Sequence, residues 1–365
     1  MAKSSKPKFR DSVAEYERLR SQIAARRFAP IYLLMGDEGY FIDALSEQLG
    51  STILTEAERA FGQVVVYGKD SEVGAIVNLC RQMPMLGQYQ VVIIREAQQL
   101  RQIDQLSLYT SAPSPTTILI ICHKEKTIDK RTSLYKQCAA VGEVFESVRP
   151  RDYEIGSWLT EFVRAKSGCT IEQKALAMMT DHLGTDISKI SNELSKLMLS
   201  LPEGTRAITA THIEQNIGIS KDFNNFELMK AITSRNLSRA LLIADHFARN
   251  PKDNPLVVTL MAMFREFRQL FTINYLNWQQ RAKGVPMPSD QELCRMLGVP
   301  APFLLAEIKQ TAAKWPNNRV FNILGIIREY DAKCKGIGTG GLNDGELLRE
   351  MILKILVCPP ATTYP

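Results

Sequence analysis

Histidine is scarce in this chain, with 4 among 365 residues, and its 7 cysteines never fall in a CxxC pair. That excludes the clustered ligands of a zinc finger or a catalytic metal centre. No GxSxG, HExxH or GxxxxGK[ST] occurs, which removes the common hydrolase and P-loop routes to chemistry. No apolar run reaches the roughly 18 residues of a membrane span. The N-terminal stretch MAKSSKPKFR is basic but lacks the apolar segment of a secretory leader. The basic residues Lys3, Lys6, Lys8 and Arg10 read as a solvated, disordered end. An odd number of cysteines, several inside apolar runs, fits a reducing cytoplasm. What remains is an ordinary globular composition with a net charge of +6, compatible with nucleic acid but not diagnostic of it.

The hydrophobic pattern alternates between two periods. Ile31–Gly36, Val64–Tyr67, Val91–Ile94, Thr117–Cys122 and Val144–Phe145 are short, apolar and rich in β-branched residues, the signature of strands. Between them, Tyr40–Phe61, Ser71–Gln82, Gln98–Tyr109 and Arg131–Ala140 read as helices, with Asp11–Phe28 ahead of the first strand and Asp37 a plausible cap for the second helix. Strands alternating with helices imply a mostly parallel, three-layer α/β domain. It ends near Pro150. Beyond that point the period is helical throughout. Tyr153–Ser167, Thr170–Leu183, Asp186–Leu199 and Thr209–Ile217 form a small helical domain. From Asn225 onward, helices including Pro255–Trp278, Pro302–Lys314, Asn317–Lys335 and Asn343–Leu356 form a bundle. The expected domains are therefore 1–149, 150–220 and 221–365.

The end of the first strand is where a nucleotide would bind in such a domain. Here it reads MGDEGYFID. Gly36 and Gly39 are three apart, no Lys-Ser or Lys-Thr follows, and Tyr40 and Phe41 fill positions where a phosphate needs small residues and charge. The third strand ends in Arg95-Glu96, not an acidic pair able to hold magnesium. The topology allows a nucleotide-binding ancestry, while these residues argue against a bound nucleotide. His123, at another strand end, has no nucleophile motif beside it and reads as a solvated loop histidine. No catalytic, cofactor or metal site is expected.

Gln82–Ala97, QMPMLGQYQVVIIREA, carries the sharpest contrast in the sequence. Val91–Ile94 belongs in a core. Met83, Pro84, Met85, Leu86 and Gly87 are also mostly apolar but sit at a turn, where Pro84 removes a backbone donor and Gly87 suits a helix end. Either the three large side chains fold back into the core, or they face water as a partner site.

Five motifs in series resemble the delta subunit of the bacterial DNA polymerase III clamp loader, an AAA+-like family. They are Ala29–Asp43, Met83–Gly87 before its strand, Ile128–Lys136, Gly184–Leu197, and Ile208–Ile217 running on to Asn225–Ile232. Together they span about Phe28 to Leu356. The resemblance implies a RecA-like AAA+ core with a parallel sheet, a helical lid and a C-terminal helical collar that joins other loader subunits. It implies a subunit of a DNA-directed DNA polymerase, a nucleotidyltransferase complex acting in DNA replication. This subunit would bind and open the ring-shaped sliding clamp without hydrolysing ATP itself. Met83, Met85 and Leu86 then become the clamp contact, shaped by Pro84 and Gly87. Where some family members place phenylalanine, this chain has methionine, a more adaptable side chain.

Primed DNA is a further expected partner. Lys333, Lys335 and the segment with Gly336 and Gly338 combine charge with backbone amides suited to phosphates, although an ordinary helix–helix linker has the same composition. Two other functions stand against the leading one: a divergent AAA+ ATPase and a basic nucleic-acid adaptor unrelated to a clamp.

Overall fold

The computed structural model describes residues 7–300 and 302–357; Lys3 and Lys6 of the basic N-terminal stretch and Cys358 lie outside them. The chain divides into two compact units, Met1–Pro150 and Arg151–Pro365.

The first unit runs α1 (Phe9–Ala24), β1 (Ile31–Gly36), α2 (Gly39–Thr52), α3 (Glu56–Gly62), β2 (Gln63–Tyr67), α4 (Val73–Cys80), β3 (Gln90–Arg95), α5 (Ser107–Thr110), β4 (Thr117–Lys124), α6 (Ser133–Val141) and β5 (Glu143–Ser147). Its five strands form one sheet in the order β2-β3-β4-β1-β5. Every pairing is parallel, with Ile31 opposite Leu119 and Val91 opposite Ile118. Parallel strands need crossover helices, and these cover both faces, so the central strands read as unbroken apolar runs. Ile31, Leu33, Met35, Val92, Ile94, Leu119 and Ile121 join Ile76, Val77 and Leu134 in one core layer. On the other face Phe41 packs against Tyr16, Phe9 and Phe145 with centroids 4.7, 6.2 and 6.5 Å away.

Two expectations fail locally. The stretch 40–61 is not one helix. Thr55 and Glu58 form a reciprocal capping box that starts α3 afresh after the break at Ile53-Leu54. The stretch 98–109 is not a helix either, but two 3₁₀ turns at Ala97–Gln99 and Ile103–Leu106 followed by α5. Ala97, Leu100, Leu106 and Tyr109 are all buried. A straight helix would spread those four positions around its circumference, whereas a turning chain buries them together. Glu96 and Gln102, both left-handed, make the turns. The expected disorder at Lys8 and Arg10 also gives way: Lys8 caps α1 and Arg10 lies inside it.

The second unit is α7 (Asp152–Ser167), β6 (Thr170–Ile171), α8 (Gln173–Leu183), α9 (Ile187–Ser200), β7 (Ala207–Ile208), α10 (Ala210–Ile217), α11 (Asn225–Thr233), α12 (Leu237–Arg249), α13 (Leu256–Lys283), α14 (Asp290–Leu297), α15 (Pro302–Lys314), α16 (Asn317–Cys334) and α17 (Asp344–Val357). The β6–β7 ladder is two residues long, too short for a sequence period to reveal. From α11 onward one continuous core includes Phe247, Phe267, Trp315, Tyr330 and Met351. The architecture is an α/β unit with a parallel sheet plus a unit that is helical apart from the short β6–β7 ladder, the fold class read from the sequence.

Candidate partner-binding turn and the closed nucleotide end

The turn 83–88 is built by the elements on either side. In α4, Val73, Ile76, Val77 and Cys80 are buried at helical spacing. The helix ends two residues earlier than its pattern suggests. The Arg81 and Gln82 amides still donate to Val77 and Leu79 carbonyls at 3.2 and 3.1 Å, and the chain then leaves the helix. Met83 is therefore a turn residue. The side chains of Met83, Met85 and Leu86 are 78%, 81% and 49% exposed, while Pro84 is half-buried beneath them. Of the two readings left open by the sequence, the structure has all three facing solvent.

Gly87 returns the chain to β3 with φ +77, and a Cβ there would lie 2.2 Å from Oε1 of Glu58. Glu58 is held in place by the Thr55 amide and hydroxyl, each 2.8 Å from its Oε2. At the other end of α3, a Cβ on Gly62 would lie 3.4 Å from the Tyr89 carbonyl oxygen. The turn thus rests along α3, an element the sequence reading had merged into its predecessor. On its other flank, Nη2 of Arg81 lies 3.5 Å from the Leu108 carbonyl oxygen, and the Leu108 side chain is also exposed. Sequence reasoning missed Leu108 because a continuous helix was assumed there.

The sheet end beside β1 is closed by the chain's own groups. Gly36 has φ +128, and a Cβ would meet the Ser147 carbonyl oxygen at 2.1 Å. The Asp37 amide donates to that carbonyl at 3.1 Å and the Glu38 amide to Ser147 Oγ at 3.2 Å. The cap of α2 is Glu38, not Asp37. Its buried carboxylate accepts from the Tyr40 amide at 3.1 Å. A helix N-terminus attracts anions, and here a carboxylate of the chain takes the place a phosphate would fill. Lys124, at the end of β4, lies 2.9 Å from Asp43 and 3.1 Å from Glu96. Burial works against its charge, yet these two ion pairs outweigh it and raise its pKa. Lys124 and the α2 terminus are thus both engaged by the chain's own carboxylates. His123 is not a solvated loop residue: it is buried in β4, with Nδ1 2.9 Å from the Lys126 carbonyl oxygen. Among the described residues no group of His, Cys, Asp or Glu is placed to hold a metal.

The glycine-rich segment does not gather free cations. Lys333 Nζ lies 3.0 Å from Glu329 and 4.5 Å from the centre of the Tyr330 ring. Lys335 Nζ lies 2.7 Å from Asp331. Gly336 and Gly338 have φ of +89 and +69, so the segment turns where only glycine turns freely. Its chemistry is a helix stop bracketed by internally paired lysines.

The fold is that of a five-stranded parallel α/β unit whose sheet end beside β1 is filled by its own side chains and which displays an apolar turn. Residues 32–147 match the family model described as DNA polymerase III, delta subunit, the family that the sequence motifs resemble. No curated protein matches the chain. Among solved structures it is similar to the Bacillus subtilis DNA clamp loader delta protein YqeN, at 18% identity and a TM-score of 0.55, covering 93% of this chain and 99% of that one. That likeness shows a shared fold. Weaker likenesses reach a DNA polymerase III gamma subunit-related protein from Thermotoga maritima, at 12% identity, TM-score 0.33 and coverage of 94% and 99%. They also reach the Thermotoga maritima RuvB Holliday junction branch migration motor, at 12%, 0.35, and 83% and 86%.

Proposed function

We propose that this chain is the clamp-opening delta subunit of a DNA polymerase III clamp loader, working in the cytoplasm without ATP hydrolysis of its own. The observation that carries the reading is the turn Met83-Pro84-Met85-Leu86-Gly87. It presents three large apolar side chains to water from a rigid α/β scaffold. Such groups are costly to expose and bind by entering an apolar pocket on a partner, here the sliding clamp. The closed nucleotide end supports a subunit whose ATP is handled elsewhere in the assembly.

The second unit is proposed to comprise a helical lid, 150–220, and a collar, 221–365, that joins other loader subunits. Along α13, Val257, Met261, Phe264, Tyr275 and Trp278 are exposed at near-helical spacing, an apolar stripe suited to that role. Primed DNA would be held by the assembly as a whole. The pairing of Lys333 and Lys335 with acidic neighbours leaves them a minor part in it.

Calorimetry with the purified clamp tests the reading. Met85→Ala combined with Leu86→Ala should cost about 2–4 kcal/mol of binding, roughly 30- to 1000-fold in Kd. The melting temperature should hold, because neither side chain packs in a core. Unchanged affinity refutes the turn as the contact.

A further inference from the structure

The second unit contains a cavity of about 390 Å³ between helices α8, α11, α13 and α15. That volume suits a small organic ligand. Met229, Val299 and Ile308 give it apolar walls. Into it from α13 comes Glu266, a part-buried carboxylate with no hydrogen bond or ion pair among the described residues. Its sequence neighbour Arg265 is engaged by Asp181 of α8. One turn further along α13, Gln269 donates its Nε2 to the Leu297 carbonyl at 2.9 Å. That bond fixes the amide orientation and leaves Oε1 as a second acceptor on the same helix face. The lining lysines, Lys230 and Lys314, are exposed and carry their charge in water.

The cavity lining mixes apolar and polar groups, and a part-buried carboxylate there is costly unless paired. We propose that this cavity is a binding site for a small organic cation, an amine or amidine on an apolar body, with Glu266 as its counter-charge and Gln269 accepting a second N–H. Its walls take the apolar body, and its open mouth admits a free ligand. Burial pushes the Glu266 carboxyl up to about 7; Arg265 opposes this, and Asp181 and Glu307 add to it. Those groups, with Asp152, Lys230 and Lys314 on the same lining, are the charges around it. The cation should therefore bind more weakly as pH falls and Glu266 takes a proton.

The test titrates the full chain with benzamidine, using neutral benzamide as its near-isosteric control. Benzamidine should saturate one site in the millimolar range or better. Benzamide should bind at least roughly tenfold more weakly, as should benzamidine to Glu266→Gln. That variant keeps the shape of the side chain and removes only an unpaired charge, so its fold is retained, as a thermal melt will report. Absence of saturable benzamidine binding, or equal binding of benzamide, overturns the site. Benzamidine binding that Glu266→Gln leaves unchanged overturns the role of the carboxylate and the proposal with it. Clamp binding is unaffected by either outcome, so failure here is distinct from failure of the turn.

Discussion

Gly87 decides the path of the exposed turn at a single position. Its left-handed φ strains any residue with a Cβ, and a side chain there would have to displace the Glu58 carboxylate. Gly87→Ala should cost about 1–3 kcal/mol of folding stability through backbone strain. It should also shift Met85 and Leu86, weakening clamp binding by more than the fold loses. Denaturant melts and calorimetry on one preparation separate the two effects. Glu266 makes the opposite prediction. Its folded-state pKa, about 7, lies above the ordinary carboxylate value of 4.5. The folded chain therefore binds the extra proton, and stability falls as pH rises through that window. Glu266→Gln should raise the melting temperature above about pH 7 and leave it unchanged below about pH 4.5. An equal effect at both ends would contradict a part-buried, unpaired carboxylate.

Among the elements, α3 matters beyond its size. Its capping box holds Glu58, and Glu58 is the surface on which Gly87 rests. Hydrogen bonds from the Thr55 amide, then from its hydroxyl, lower the Glu58 pKa. A lowered carboxylate pKa gives a contribution present above the ordinary carboxylate range and lost as pH falls through the folded value. Thr55→Ala should cost about 0.5–2 kcal/mol by loss of the cap. It should loosen the turn without touching any of its exposed apolar side chains, which amide hydrogen exchange at residues 83–89 would register. In the helical unit, Trp315 ties several elements together. Its indole N–H donates to the Thr233 carbonyl at 2.9 Å, its ring meets Phe267, and Arg235 and Arg319 lie 5.0 and 4.9 Å from its centre. Trp315→Ala should lose about 3–5 kcal/mol, seen as a lower denaturation midpoint.

For the whole molecule, the sheet order and the closed nucleotide end act together. Ligands of open parallel sheets bind at the carboxyl ends of the strands, where the order reverses. Here β4 and β1 flank that place, and Glu38, Lys124, Asp43, Glu96 and Ser147 occupy it with mutual contacts. The full chain should show no saturable heat with ATP and magnesium. Micromolar binding would make it a divergent ATPase instead.

The sequence by itself determined the α/β-then-helical order, the strand positions and the missing phosphate loop. Each is a local property: an apolar run, a period, or a motif either present or broken. It also marked Met83–Gly87 as apolar residues at a turn, but could not say whether they faced inward. Tertiary structure decided that, because the turn lies along α3, with Gly87 against Glu58, a residue 29 positions away. Only the folded chain divides 40–61 into two helices, because burial of Ile53 and Leu54 at the break and the fresh cap at Thr55 outweigh a continuous helical pattern. Only it reveals the cavity at Glu266, since no spacing along the chain shows that α8, α11, α13 and α15 line one cavity into which Glu266 projects.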